Sequence, residues 1–221
     1  MIFSGNQPVP SGVVPEGTGA GVDLAAPDTE LVRLVKAGEM GAFDRLVDRH
    51  WERVYGLARS IVGSHEDALE VAQDAFVRAF RAMHRFRGDC PVLNWLLRIA
   101  GNAARNQVRT RNRRRRFELV PLGTTEQGAD GNPGWSVESR ASDTAVGPDE
   151  RASIRDDVQV LLRALDQLRP EAREVLYLRH VGGLSCEEIA GVQDCSLGTV
   201  KSRLHRAREQ MLSLLGWDTE T

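Results

Sequence analysis

Apolar residues recur at spacings of three and four over several stretches of the chain, which predicts amphipathic helices. Leu31, Val32, Leu34 and Val35 form a short first group behind the plausible cap Pro27-Asp28-Thr29-Glu30. From Ala42, the series Phe43, Leu46, Val47, Trp51, Val54, Leu57, Ala58, Ile61 and Val62 predicts a helix that Gly63 ends. Ser64 caps the next helix, roughly His65 to Met83. Its first turn carries Glu66 and Asp67, and Ala68, Val71, Ala72, Ala75, Phe76, Ala79 and Phe80 face inward. After a loop at Phe86-Arg87-Gly88-Asp89, Asp89 is expected to cap a helix with Pro91 in its first turn. The apolar side of that helix runs from Leu93 through Trp95, Leu96, Leu97, Ile99, Ala100, Ala103 and Ala104 to Val108.

The period returns at Ile154, with Val158, Leu161, Leu162, Leu165 and Leu168 on one helix and Pro170 opening another that Gly182-Gly183 ends. Residues 1–27 are rich in Gly, Pro, Val and Ser without any period, and disorder is expected there. Phe117 to Glu150 reads as linker. The fold class is therefore all-α, with two small helical domains, 28–116 and 151–217, joined by a flexible acidic linker, 117–150.

The most informative stretch is Gly183 to Met211. Ser185 followed by Glu187 and Glu188 starts a short helix with Ile189 and Ala190 inward. Gln193-Asp194-Cys195 is a turn, and Ser196 caps a second helix whose Val200, Leu204, Ala207 and Met211 form one stripe. The other face carries Lys201, Arg203, His205, Arg206 and Arg208, with Thr199 and Ser202 near its start. An isolated basic helix usually has a merely solvated face. The capped first helix and the short turn instead favour a helix-turn-helix, whose second helix enters the major groove.

A near-neutral balance of 29 basic and 31 acidic residues argues against a nucleic-acid partner only on average, because the charges are segregated. Arg98 to Arg116 holds eight arginines and no acid, whereas Glu118 to Glu150 holds seven acids and one arginine. Arg98, Asn102, Arg105, Asn106 and Arg109 share the polar side of their helix. Arginines alone suit a phosphate tether. Asparagines among them add groups able to bond base edges. Cys90, Cys186 and Cys195 form no C-x-x-C pair and are expected to be inert. No apolar run suits a bilayer and no secretory start is present, so a cytoplasmic location is expected. Scattered histidines, no Gly-rich phosphate loop and no metal spacing argue against an enzyme or a cofactor.

The wording S-x-E-E-I-A, then G-T-V-K-S-R-L-x-R-A-R, resembles domain 4 of bacterial sigma factors, closest to the extracytoplasmic-function (ECF) group of the sigma-70 family. The run E-D-A-x-E-x-A-Q-D-A-F-x-R-A-F at 66–80 resembles the sigma segment that docks on the clamp helices of core RNA polymerase. By that resemblance Glu70, Gln73, Asp74 and Phe76 are the polymerase-binding candidates. F-R-G-D-x-x-x-x-x-W-L-x-R-I-A-x-N-x-A-x-N-x-x-R resembles the part of domain 2 that melts and reads the minus-10 element. The resemblance implies that Asn102 and Asn106 hold an extruded base, with Arg98, Arg105 and Arg109 on the DNA and loop 86–90 in the pocket. Cys90-Pro91 departs from the small polar pair frequent in the family, which bears on the pocket's shape, and Trp95 is read as core rather than as a base stacker.

By the same resemblance, Thr199, Lys201, Ser202, Arg203, His205, Arg206 and Arg208 meet the minus-35 element, Lys201, Ser202, His205 and Arg206 in the groove and the others as backbone or packing contacts. The acidic linker fits two readings equally, an extended soluble tether or a segment threading the polymerase cleft. The implied function is that of a non-enzymatic ECF sigma factor that binds core RNA polymerase and promoter DNA and is held by an anti-sigma factor. A stand-alone helix-turn-helix regulator is the second class, and it would bind duplex DNA without polymerase.

Overall fold

Serine side chains start three of the helices, each at the position where a hydroxyl can take a free amide of the first turn. In the computed structural model, which describes residues 26–118 and 148–217 (side chains over 26–115 and 158–217), Ser64 accepts from the Asp67 N–H, Ser185 from Glu188 and Ser196 from Thr199. The described residues form eight α-helices: α1 (Asp28–Lys36), α2 (Met40–Val62), α3 (His65–Ala82), α4 (Val92–Glu118), α5 (Pro148–Gln167), α6 (Pro170–His180), α7 (Cys186–Gln193) and α8 (Leu197–Leu214). A 3₁₀ turn, Met83–Arg85, follows α3. Gly63 closes α2 in the left-handed region at φ 80°, a conformation that costs glycine little.

Helices α2, α3 and α4 pack on one another, with α1 laid against α2. Small side chains permit the close approach: Ala58, Ala68, Ala72, Ala75, Ala79, Ala100 and Ala104 are all almost fully buried. Leu31, Leu46, Leu57 and Leu97 fill the space between, and each contributes about 1.5–3 kcal/mol by leaving water. Asp28 ties α1 to α2 through Arg49 at 2.6 Å and His50 at 2.8 Å, and the Lys36 ammonium donates to the Phe86 carbonyl. In the second unit α6 packs on α8, with Val175 and Leu178 fully buried beneath the Val200–Ala207 stripe.

Several expectations need correction. Pro91 lies outside α4, and its carbonyl takes the Trp95 N–H, so Pro91 holds the cap position expected of Asp89. Phe80 is 37 % exposed because it stands at the margin of the α3 stripe, although its ring still meets Phe43 edge-on at 5.0 Å. Leu161 is exposed and Ala164 buried, so the stripe of α5 is rotated from the expected one. Both ends of the expected linker are helical, since α4 runs to Glu118 and α5 begins at Pro148. The rest of that linker, and the N-terminal extension up to residue 25, lie outside the described residues. The two units also touch, α6 against α2 and α7 against α4, which a reading of each motif by itself did not foresee.

Candidate nucleic-acid interface

Helix α8 owes its position to the turn before it. Asp194 ends α7 in the left-handed region at φ 51°, a conformation Asp tolerates better than most residues, and the chain turns directly into the Ser196 cap. Glu188 completes a reciprocal capping box with Ser185, which pins the start of α7. Val200 and Ala207 are buried, and Lys201, Ser202, His205, Arg206 and Arg208 are exposed. Positions 201, 205 and 208 follow one another along one face, with 202 and 206 beside them. This is a continuous row of donors on a rigid helix.

Five of the expected DNA contacts on α8, Thr199, Ser202, Arg203, His205 and Arg206, have internal partners. The Thr199 hydroxyl lies 2.8 Å from that of Ser196, within the helix cap. Arg203 is half-buried and donates to the Gln193 side-chain carbonyl at 2.8 Å. Arg206 is exposed and folds back on Ser202, donating to its hydroxyl at 2.8 Å and to its carbonyl at 3.2 Å. His205 stands 3.3 Å from Glu209.

Helix α4 exposes Arg98, Asn102, Asn106 and Arg109, as its polar pattern predicts. Arg105 is half-buried, because its guanidinium bonds Asn102 at 2.6 Å and also the carboxylate of Glu174 on α6. Asn106 opens instead onto a cleft shared with α3, lined by Glu70, Asp74, Arg78 and Arg111. Asp67 holds the two helices together there, accepting from Gln107 at 3.0 Å and from Arg111 at 3.1 Å. Asn102 and Asn106 therefore look toward different neighbours, though both are open to solvent.

On α3, Glu70 and Gln73 are exposed, and half-buried Asp74 pairs with Arg78 at 2.7 Å. Phe76, which the periodicity places inward, is 5 % exposed and stacks on Trp51 with centroids 5.8 Å apart, so it supports the acidic face from beneath. Trp95 is buried against Phe86, in keeping with a core role. The bend at 88–90 contributes Asp89 and Cys90 to a crevice whose far wall is Glu187, Glu188 and Val192 of α7. Sequence reasoning missed Asn94, Glu174 and Tyr177. A polar Asn94 on an otherwise apolar side was the one local signal among them. The three cysteines are free and half-buried, and among the described residues no cluster of His, Cys, Asp and Glu could hold a metal ion. No helix of the described residues is long and apolar enough to cross a membrane.

An all-helical chain with a helix-turn-helix at one end and an Arg/Asn helix beside an acidic one at the other has two polar surfaces suited to nucleic acid. The family model for Sigma-70 region 2 matches residues 46–114, and that for Sigma-70 region 4 matches residues 159–211. RNA polymerase sigma-H factor of Pseudomonas aeruginosa is 38 % identical over 183 residues, 82 % of this chain and 90 % of that protein. ECF RNA polymerase sigma-E factor of Escherichia coli K12 is 36 % identical over 183 residues, 82 % of this chain and 91 % of the relative. The fold is similar to that of sigma factor RpoE from Bartonella quintana, solved in complex with the anti-sigma factor NepR. The TM-score is 0.61 at 23 % identity, covering 80 % of this chain and 98 % of the other. The chain belongs to the ECF RNA polymerase sigma factors of the sigma-70 family, which direct promoter-specific transcription initiation.

Proposed function

We propose that α8 reads the minus-35 duplex while α4 captures unpaired minus-10 bases and so helps to melt that element. The observation that carries this reading is the pair of exposed polar faces, Lys201–Arg208 on α8 and Arg98–Arg109 on α4, each on a rigid helix braced by a buried apolar side. Lys201, Ser202, His205 and Arg206 supply the base contacts in the major groove. Thr199 and Arg203 act mainly by holding the helix-turn-helix, and Arg208 meets phosphate. Arg98, Arg105 and Arg109 neutralise the strand that Asn102 and Asn106 read. Each good base contact is worth about 1–3 kcal/mol of discrimination, whereas a phosphate contact strengthens binding to every promoter alike.

The acidic outer face of α3, with Glu70, Gln73 and Asp74, docks on a basic surface of core polymerase, for which opposite charge gives orientation and rate. Domain 2 spans 28–116 and domain 4 spans 151–217, joined by the acidic linker. The factor acts in the cytoplasm, uses no cofactor and catalyses no reaction itself. An anti-sigma protein is a further partner, since the relative from Bartonella quintana was solved with one.

The test is reconstitution with core bacterial RNA polymerase on a genomic promoter library. Initiation from a subset sharing two spaced elements supports the reading, and Arg206→Ala should relax preference in the upstream one. Tight duplex binding without polymerase, and no gain over core alone, would mark a stand-alone regulator instead.

A further inference from the structure

Arg206 and Ser202 stand one turn apart on the outer face of α8, and both are exposed. A long helical side chain leans toward the start of its helix, so Arg206 reaches back over Ser202. Its Nη2 donates to the Ser202 hydroxyl at 2.8 Å, and its Nε donates to the Ser202 carbonyl at 3.2 Å. A guanidinium is planar and holds its N–H groups in a fixed fan. Nε with Nη2 makes a side fork, and Nη1 with Nη2 makes an end fork. Ser202 takes the side fork with two oxygens. The end fork is left for an acceptor outside the protein.

The other cations of the face are equipped differently. Arg203 is half-buried and turned onto Gln193 at 2.8 Å. Lys201 is exposed, but an ammonium is a point charge without a fork. In the major groove only guanine offers two neighbouring acceptors, O6 and N7, which is the pattern a single fork fits. Rival acceptors are close by. Arg206 lines a groove between α8 and α6 together with Arg169, Glu171 and Gln210. A guanidinium released from Ser202 has the Glu171 carboxylate and the DNA phosphates as charged partners, and those take it whatever base is present.

We propose that Ser202 is a positioning residue for Arg206: by occupying the side fork it presents the end fork alone, and so makes Arg206 a reader of guanine. The proposal rests on the minus-35 reading of α8 and adds to it a base and a division of labour. The part Ser202 plays in base choice runs through Arg206.

The test uses holoenzyme reconstituted from core polymerase and the full-length factor. Its templates carry a fully randomised upstream element, a constant minus-10 element taken from the genomic promoter library, and a transcribed barcode. Sequencing the transcripts then gives the base enrichment at each upstream position. Alanine is the strongest helix former, so alanine at 202 or 206 should leave α8 intact, which circular dichroism melts check.

Arg206→Ala should abolish guanine enrichment at one position and so locate the contact. Ser202→Ala should lower enrichment at that same position about tenfold and leave the other positions as in the parent. Ser202→Thr keeps the hydroxyl and should keep the preference. In the Arg206→Ala background, Ser202→Ala should change nothing further, as two residues acting through one contact require. Unchanged guanine enrichment in Ser202→Ala would overturn the proposal, and so would a loss at another position that persists without Arg206. A preference for a base other than guanine at the Arg206 position would overturn the fork assignment. In each of those cases the effect of Arg206→Ala keeps the minus-35 reading. If Arg206→Ala left every position as in the parent, that reading of Arg206 would fall and take the proposal with it.

Discussion

Arg203 of α8 donates to the side-chain carbonyl of Gln193 at 2.8 Å, joining the recognition helix to the end of the helix before it. Gln193 is 9 % exposed, so loss of the donor leaves a nearly buried acceptor with only the weak Cys195 thiol at 3.9 Å, at a cost of about 1–3 kcal/mol. Arg203→Ala should therefore lower the thermal midpoint while keeping the order of preferred promoters among molecules that remain folded. Arg206 is exposed, and Arg206→Ala should change stability by no more than about 0.5 kcal/mol. Its effect belongs in promoter choice. Thermal denaturation beside transcription from the promoter library separates the two, and a shift in preference with Arg203→Ala would reassign that residue to base reading.

The cap of α7 supports two contacts at once. Ser185 accepts from the Glu188 N–H at 3.1 Å, and the Glu188 carboxylate returns the bond to the Ser185 N–H at 2.8 Å while also receiving Asn94. Those donors, the backbone N–H first and the Asn94 amide next, hold the Glu188 carboxyl below its ordinary range. Ser185→Ala removes one half of the box and should cost about 1 kcal/mol. Amide exchange should accelerate first at the start of α7. Unchanged exchange there would mean that packing of Ile189 and Val192, rather than the cap, sets the local stability.

Acid should weaken the α1–α2 contact through His50. The ring is 3 % exposed, with Nε2 2.8 Å from Asp28, and burial lowers its pKa below 6.5. The Asp28 carboxylate opposes that shift, and Arg49 and Arg53 add to it. Because the folded value is depressed, the unfolded chain takes up a proton first as the pH falls. The stability this gives is present above pH 6.5 and is lost as the pH falls from there toward the lowered folded value. Urea midpoints measured across that range should decline in the parent, and His50→Gln should flatten the decline. A parallel decline in both proteins would place the acid sensitivity in another group.

What could be read from the chain alone was local. Ser64, Ser185 and Ser196 bond an amide three residues on, and Gly63 ends its helix by its own backbone, so each boundary depends on neighbours in sequence. Periodicity also located the stripes of α2, α4 and α8. It could not say how far a stripe is covered at its margins, which is why Phe80 and Leu161 were misjudged. The cap of α4 fell to Pro91, whose carbonyl takes the Trp95 N–H, and Phe86 before the bend meets the Trp95 ring at 5.0 Å, a contact between side chains that helical periodicity does not encode. The contact between the two units was illegible for a different reason. Arg105 and Glu174 lie 69 residues apart, Asn94 and Glu188 94, and Arg53 and Tyr177 124. Apart from Asn94, polar on an otherwise apolar side, no local pattern marks such a contact, and the other side chains are plausible as ordinary exposed residues of their own helices.

Phe76 and Asp74 sit two residues apart in a motif that as a whole resembles a polymerase-binding segment, yet their settings differ. Phe76 stacks on Trp51 with ring planes 15° apart and is almost fully buried. Phe76→Ala should therefore cost about 3–5 kcal/mol, the range for emptying an aromatic site in a core. Any loss of polymerase binding should follow the loss of folded protein and recover when the temperature is lowered. Glu70 and Gln73 are exposed and Asp74 is half-buried against Arg78, a surface pair worth little to stability. Glu70→Lys combined with Asp74→Lys should leave the melting midpoint nearly unchanged while placing like charges against a basic partner, which raises the dissociation constant for core polymerase. Titration of labelled factor with core polymerase, at two salt concentrations, measures this. The loss should be larger at low salt, where charge repulsion is least screened. If the double lysine variant bound core as the parent does, the acidic face of α3 would not be the docking surface. The exposed apolar margin at Val77 and Phe80 on the same helix would then be the next surface to substitute.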